Sequence, residues 1–237
     1  MSAALLQVTD LRVEFQTELG THRAVDGASF SVAAGETLAL VGESGCGKTV
    51  TALALMKLLR TPPAVVRGSV FFDGRDLLSL GERAMRRLRG KDLAMIFQEP
   101  GLSLNPLLNV GQHVGEAIRV HDREISRRGA QRRACSLLAM LGFSEPDRRL
   151  GEYPHELSGG MRQRLLIAMA IAHRPKLIIA DEPTTSLDAV VGAQILDLFS
   201  EIKHQFGTAI LLITHDLGIV ARYADAVATM HQGVLPS

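Results

Sequence analysis

The sequence predicts an α/β fold built on a mainly parallel β-sheet. Three observations predict it. Short apolar runs alternate with segments of helical pattern along most of the chain, which is the rhythm of strands joined by right-handed crossovers. One run, Thr37–Val41, leads straight into a glycine-rich loop and a helix. A long middle stretch, Pro100–Leu157, shows few strand signals and reads as a helical insertion.

Taken in order, Gln7–Phe15 and Ala28–Val32 carry the first strand and turn signals. Thr37–Val41 (TLALV) is short and apolar and ends in glycine, as a buried parallel strand does. Lys48–Arg60 follows as a helix, with Pro62-Pro63 as its stop. Ser69–Asp73 reads as a strand turning at Asp73-Gly74, and Asp92–Phe97 as another. Past the insertion come a helix (Ser158–His173), a strand (Lys176–Ala180), a helix (about Val190–Phe206) and a strand (Thr208–Thr214). No internal repeat or long linker interrupts the series.

Composition narrows the classes. A chain of 237 residues makes one large α/β domain or two small ones. Hydrophobic content of 46% with a net charge of +1 excludes a disordered chain, and 22 Gly with 9 Pro, without a period, exclude a collagenous one. Cys46 and Cys135 lie far apart and match no metal or disulfide framework, which suits a reducing compartment. The longest uninterrupted apolar run, Leu165–Ala172, falls well short of the ~20 residues of a membrane span. Met1–Gln7 lacks the basic start and apolar core of a signal peptide, so the expectation is a soluble chain whose membrane role would need a partner.

The balanced charge gives no argument for nucleic acid. The basic stretches Arg83–Lys91 and Arg123–Arg133 read first as solvated helix faces and second as contacts to a transmembrane partner or anionic lipid. They carry no interleaved aromatic rings for base stacking. His121, His173 and His204 are expected at the surface.

Gly42-Glu43-Ser44-Gly45-Cys46-Gly47-Lys48-Thr49 fits G-x-x-x-x-G-K-[ST] in full, between a strand and a helix. Glycines let the backbone curl so that successive N–H groups form an anion nest. The helix N-terminus adds partial positive charge. In this motif Lys48 bridges β- and γ-phosphates and the Thr49 hydroxyl holds Mg²⁺. A chance match over this length has a probability of about one percent, given Gly near 7% of residues. Cys46, at the helix start, is expected either to have an acidified thiol whose alkylation blocks nucleotide or to be simply a small residue that fits.

Leu177–Ala180 is an apolar strand ending in Asp181-Glu182, at the sheet edge where ligands of parallel sheets bind. Asp181 suits Mg²⁺ binding through water, and Glu182 suits orienting and polarising an attacking water. Alone, such a pair is as often a solvated loop; beside the phosphate loop the functional reading prevails. Ser158 is a natural N-cap in Leu157-Ser158-Gly159-Gly160-Met161, and its glycines offer a second anion site, or an ordinary capped helix.

These motifs, with Gln98 after Leu93–Phe97, Ser186-Leu187-Asp188 and Thr214-His215-Asp216, resemble in order and spacing the ATP-binding cassette (ABC) ATPases. The likeness covers nearly the whole chain. Its closer texture resembles the ATPase subunits of bacterial peptide, oligopeptide or nickel importers: Ala24-Val25-Asp26-Gly27, Ser103-Leu104-Asn105-Pro106, Tyr153-Pro154-His155 and Ile179–Thr185 carry it.

The resemblance implies a P-loop NTPase core of the RecA type with an N-terminal antiparallel β part (about 1–98 and 158–237) and an inserted helical subdomain (about 99–157), all one ABC ATPase domain. It implies ATP and Mg²⁺, with Gly42–Val50 and Lys48 on the nucleotide and Thr49, Gln98 and Asp181 at the metal. Gln98 would touch Mg²⁺ and water and report to a membrane partner. Ser158, Gly159 and Gly160 would complete the site of a second subunit in a head-to-tail dimer. Asp188 would lie in the loop coupling the two sites, and His215 would contact the γ-phosphate and hold Glu182 and the water in line. An aromatic residue before the loop stacks on adenine in this family; Phe15 is the candidate and His22 the alternative, and core packing accounts for Phe15 equally well.

The implied partners are a second ATPase subunit, two permeases and, indirectly, a solute-binding protein, at the cytoplasmic face of the inner membrane. Met161 stands where the family mostly has Gln, Glu99 where Asp is usual, and Thr49 where Ser is commoner. The family's last strands continue into an acidic-Gly turn and a C-terminal extension; here the sequence stops at Gly233-Val234-Leu235-Pro236-Ser237 and does not include that extension, which leaves open whether it is the complete subunit. The competing class is a soluble ABC-type ATPase acting on nucleic acid or ribosomes, but no tandem cassette, zinc module or coiled-coil insertion is seen. A P-loop kinase or GTPase is disfavoured because no N-K-x-D guanine reader is present.

Overall fold

The computed structural model describes residues 4–18 and 20–235. The expectations resting on Met1–Ala3 and on Pro236-Ser237, about the leader and the chain end, lie outside the described residues. Strands β1 (Ala4–Thr17), β2 (Gly20–Ala33), β4 (Ala64–Phe72) and β5 (Arg75–Asp76) form an antiparallel sheet in the order β2-β1-β4-β5. The inward residues of β1 are Leu6 and Val8, then Leu11 and Val13. That one-residue change of phase is absorbed by a bulge, where Asp10 has φ 48° and the pairing shifts between Val8 and Leu11. Without it, half the strand would present its apolar side chains to solvent. The β4–β5 turn uses Asp73 and Gly74, both with positive φ, as a tight hairpin turn requires.

The second sheet is parallel, in the order β6-β7-β8-β3-β9, with β3 (Thr37–Val41), β6 (Leu93–Ile96), β7 (Leu177–Asp181), β8 (Ala209–Thr214) and β9 (Ala226–Thr229). Strands β3, β7 and β8 are buried on both faces, which is why they read as unbroken apolar runs, whereas the edge strand β9 alternates half-buried and exposed residues. Leu177, Ile179, Leu211 and Ile213 face the core shared with the antiparallel sheet and α1 (Lys48–Leu55). Ile178, Ala180, Ile210 and Leu212 face the core shared with the remaining helices.

After α2 (Glu82–Leu88), the chain between β6 and β7 forms only helices: α3 (Pro100–Ser103), α4 (Val110–Arg119), α5 (Arg127–Met140), α6 (Pro146–Arg149), a short turn of 3-10 helix at Pro154–Glu156, and α7 (Gly159–Ala170). Then follow α8 (Ala189–Phe206) and α9 (Leu217–Tyr223). α9 and β9 go beyond the sequence reading; the signal for α9 is Asp216, whose carboxylate accepts from Gly218 N–H at 2.7 Å as a helix cap.

Two expectations are corrected. Helix α1 ends at Leu55, not Arg60, and the prolines do not stop it. Lys57 takes φ 49°, and the Arg89 guanidinium accepts the role of C-cap, donating to Met56 O at 2.7 Å and Lys57 O at 2.9 Å. His121 and His173 are half-buried rather than at the surface, while His204 is exposed as expected. His173 Nε2 lies 2.9 Å from Ile118 O, and His121 Nε2 lies 2.7 Å from Arg89 O. Carbonyls only accept, so both Nε2 atoms carry a proton. The rings meet edge to face at 5.2 Å and join α4 to the end of α7 and to the turn before β6.

Candidate functional site

The loops at the C-terminal ends of β3, β6, β7 and β8 enclose a cavity of about 880 Å³, lined by Gly42–Gly45 and Gly47–Val50 together with Phe15, His22, Gln98, Glu182, Thr185 and His215. The loop after β3 is shaped by close approaches that only glycine permits. A Cβ on Gly42 would stand 2.2 Å from Met230 O and 2.6 Å from Cys46 Sγ; one on Gly47 (φ 108°) would stand 2.4 Å from Ala24 O. A turn near the end of the described chain braces the loop from below, with Gly233 N–H donating to Cys46 O at 2.9 Å. Gly47 is the N-cap of α1 and offers no side-chain acceptor, so the first N–H groups of the helix remain available to an anion.

Lys48 is nearly buried, and its Nζ donates to Gly42 O at 2.7 Å and Glu43 O at 2.8 Å, arched over its own loop. Of the two readings of Cys46, the setting is that of the small residue that fits: its side chain is buried and does not line the cavity, and Sγ packs under Gly42 and 3.8 Å from Lys48 Nζ.

Asp181 ends β7 and is 2% exposed. Burial pushes its carboxyl above the ordinary aspartate value; the Thr49 hydroxyl pulls back, neighbouring Glu182 pushes further up, and Lys48 opposes. Its Oδ1 has no hydrogen-bond partner. A buried, unpartnered carboxylate oxygen beside a threonine hydroxyl is a hard oxygen set that fits Mg²⁺.

Glu182 is held in an uncommon backbone conformation, φ 46°, with its N–H donating to Ile213 O of β8 at 3.0 Å. Its carboxylate is where the separate motifs meet. Oε2 accepts from Gln98 Nε2 at 3.2 Å and from Thr185 Oγ1 at 2.8 Å, and Oε1 lies 3.3 Å from His215 Nδ1. Thr185 was not singled out in the sequence as a site residue; the available signal was a hydroxyl three residues after the acid, in the turn that Thr185 N–H closes on Glu182 O.

Phe15 and His22 face each other directly across β1 and β2, and both line the cavity wall beyond the loop. Their register puts the two rings on one face of the sheet.

Ser158, Gly159, Gly160 and Asp188 lie elsewhere. Ser158 caps α7 by accepting from Met161 N–H at 3.3 Å, and Asp188 caps α8 by accepting from Val191 N–H at 2.9 Å. Gly159 lines a separate cavity of about 360 Å³ with Gln98, Glu99, Arg162, Thr185 and Ser186. A Cβ on Gly160 would stand 2.6 Å from Val191 Cγ1, so the glycine turn is pressed against the start of α8. Within one chain, that turn is not part of the phosphate-loop cavity.

A family model described as ABC transporter matches residues 25–185. An oligopeptide transport ATP-binding protein, OppD of Bacillus subtilis, is 50% identical over 230 residues, 97% of this chain and 64% of that protein. A peptidoglycan transport ATP-binding protein, YejF of Agrobacterium fabrum, is 53% identical over 97% of this chain and 42% of that protein. The chain thus spans less than two-thirds of the length of these two relatives. Among solved structures, a dimeric ATP-binding cassette in a post-hydrolysis state, bound to ADP and Pi, superposes with a TM-score of 0.86 at 25% identity, covering 98% of this chain and 97% of that one.

Proposed function

The chain belongs to the ABC transporter family, and from that premise we propose that it is the ATP-binding and ATP-hydrolysing subunit of an importer of peptides or related small solutes. The observation that carries the chemistry is the convergence of Gln98 and His215 on the Glu182 carboxylate, at the rim of the cavity that Lys48 and the glycine loop define. The relatives' names support the peptide class.

ATP is the substrate in this reading. The triphosphate lies along the N–H groups of Gly42–Thr49, with Lys48 releasing the loop carbonyls to reach the phosphates. Phe15 stacks on the base. Mg²⁺, held by Thr49, Asp181 and Gln98, would neutralise phosphate charge. Glu182 takes the proton of the attacking water, and His215 and Gln98 hold carboxylate and water in line. Phosphoryl transfer needs positioning and charge stabilisation more than covalent help.

The site is completed by a second cassette, a like chain or a paralogue. Ser158, Gly159 and Gly160 sit away from their own chain's loop cavity, as residues serving a partner's site would. That a matched cassette is dimeric supports a pairing of two chains. Two permeases would contact the helical subdomain, about residues 99–157, and a solute-binding protein would act through them. Among the described residues, no helix is long and apolar enough to cross a membrane, so attachment at the cytoplasmic face of the inner membrane would come through the permeases.

Turnover measured over a range of chain concentrations tests the shared site. Specific ATPase activity should rise with concentration, because two chains build each site; activity per chain that stays constant down to high dilution contradicts it.

A further inference from the structure

The Glu182 carboxylate has three neighbours, but they do not hold it equally. The last torsion of a glutamate is broad and two-fold, so backbone and packing leave the orientation of its oxygens open. External donors must fix it. Gln98 Nε2 reaches Oε2 at 3.2 Å from the exposed bend after β6, and His215 Nδ1 reaches Oε1 at 3.3 Å. The shortest contact, 2.8 Å, comes from Thr185 Oγ1. Thr185 is also the only one of the three tied to Glu182 by a backbone bond, its N–H to Glu182 O at 3.2 Å.

Thr185 has a second connection. It lines both the phosphate-loop cavity and the smaller cavity that includes Gly159. Two residues on, Leu187 Cδ2 lies 3.3 Å from where a Cβ of Gly159 would stand. The chain from Glu182 to Leu187 therefore runs from the carboxylate to the glycine turn.

We propose that Thr185 is a positioning residue for hydrolysis: its hydroxyl sets the rotation of the Glu182 carboxylate, keeps Oε1 toward His215, and links that orientation to the turn packed on Gly159. This rests on Glu182 being the base. Misplacing a reacting group by a fraction of a hydrogen-bond length lowers turnover without lowering substrate affinity.

Three variants of the full chain, assayed for turnover against ATP concentration, test it. Thr185→Val keeps the branched shape and loses the donor; kcat should fall roughly tenfold, the worth of one hydrogen bond to a charged group, with KM for ATP unchanged. Thr185→Ser keeps the donor and should restore most of kcat. Glu182→Gln sets the background. A Thr185→Val chain at parental kcat, a Thr185→Ser chain as slow as Thr185→Val, or a loss carried by KM overturns the role of Thr185. If Thr185→Val does not fold, Thr185→Ala carries the same expectation. If Glu182→Gln keeps turnover, the base assignment itself fails and this proposal with it; if Glu182→Gln is inactive and Thr185→Val is normal, only the Thr185 role is lost.

Discussion

Glu182 Oε1 and His215 Nδ1 lie 3.3 Å apart, joining the ends of β7 and β8. The two residues are 33 positions apart in sequence and adjacent because β7 and β8 are neighbours in the parallel sheet. Glu182 also reaches that neighbour through its backbone N–H to Ile213 O. The sheet, not a local turn, sets the pair.

His215→Ala should therefore lower kcat by about 10²-fold or more, in the range of removed positioning and acid–base help, while ATP binding measured by equilibrium fluorescence stays near parental. A variant with normal kcat would detach His215 from the reaction.

Glycines of the phosphate loop should differ in tolerance. Gly42→Ala places a methyl group 2.2 Å from a backbone oxygen, Met230 O, and should lower stability by several kcal/mol or prevent folding. Gly45→Ala meets no atom within 4 Å and suffers only its φ of +80°, about 1–2 kcal/mol. Denaturant melts that rank the two equally contradict the packing described.

Gly160→Ala drives its new methyl group to 2.6 Å from Val191 Cγ1. The expected cost is about 1–3 kcal/mol. Adding Val191→Ala removes the clash, so the double variant should recover stability relative to Gly160→Ala alone. A double variant no better than the single one would mean that the loss has another cause.

Acid should weaken the junction at His173. Burial, and after it the nearby Arg133 and His121 charges, hold the imidazole below its usual pKa, against the backbone carbonyls that raise it. The folded chain then binds fewer protons than the unfolded one as pH falls below about 6.5, so this contribution to stability is present above that pH and is lost on acidification. Melting temperature should fall between pH 7.5 and 5.5, and His173→Gln should flatten that slope. An unchanged slope in the variant would remove His173 as its source.

The site was legible where its chemistry is written in contiguous residues. Gly42–Thr49 needs only a strand before it and a helix after it, and both are local signals. Asp181-Glu182 was legible because a buried parallel strand is an unbroken apolar run with a defined end. Thr185 was not, since its contact with the Glu182 carboxylate depends on a turn that folds the chain back. The same holds for the fold. The end of α1 depends on Arg89, 33 residues from Met56, filling the role of cap, and the buried settings of His121 and His173 depend on helices meeting across the molecule. The bulge at Asp10 appears in the sequence only as an apolar alternation that slips by one position.

Glu182 as the base of a site shared by two chains is best checked by light scattering on the Glu182→Gln chain with ATP and Mg²⁺. The chain is 25.6 kDa. ATP should convert it to a stable particle of twice that mass with no ADP formed, and Gly159→Asp on the same background should prevent the doubling by placing a negative charge at the glycine turn. A Glu182→Gln chain that binds ATP and remains a monomer at every concentration, or that hydrolyses ATP at the parental rate, would overturn the shared site or the role of Glu182.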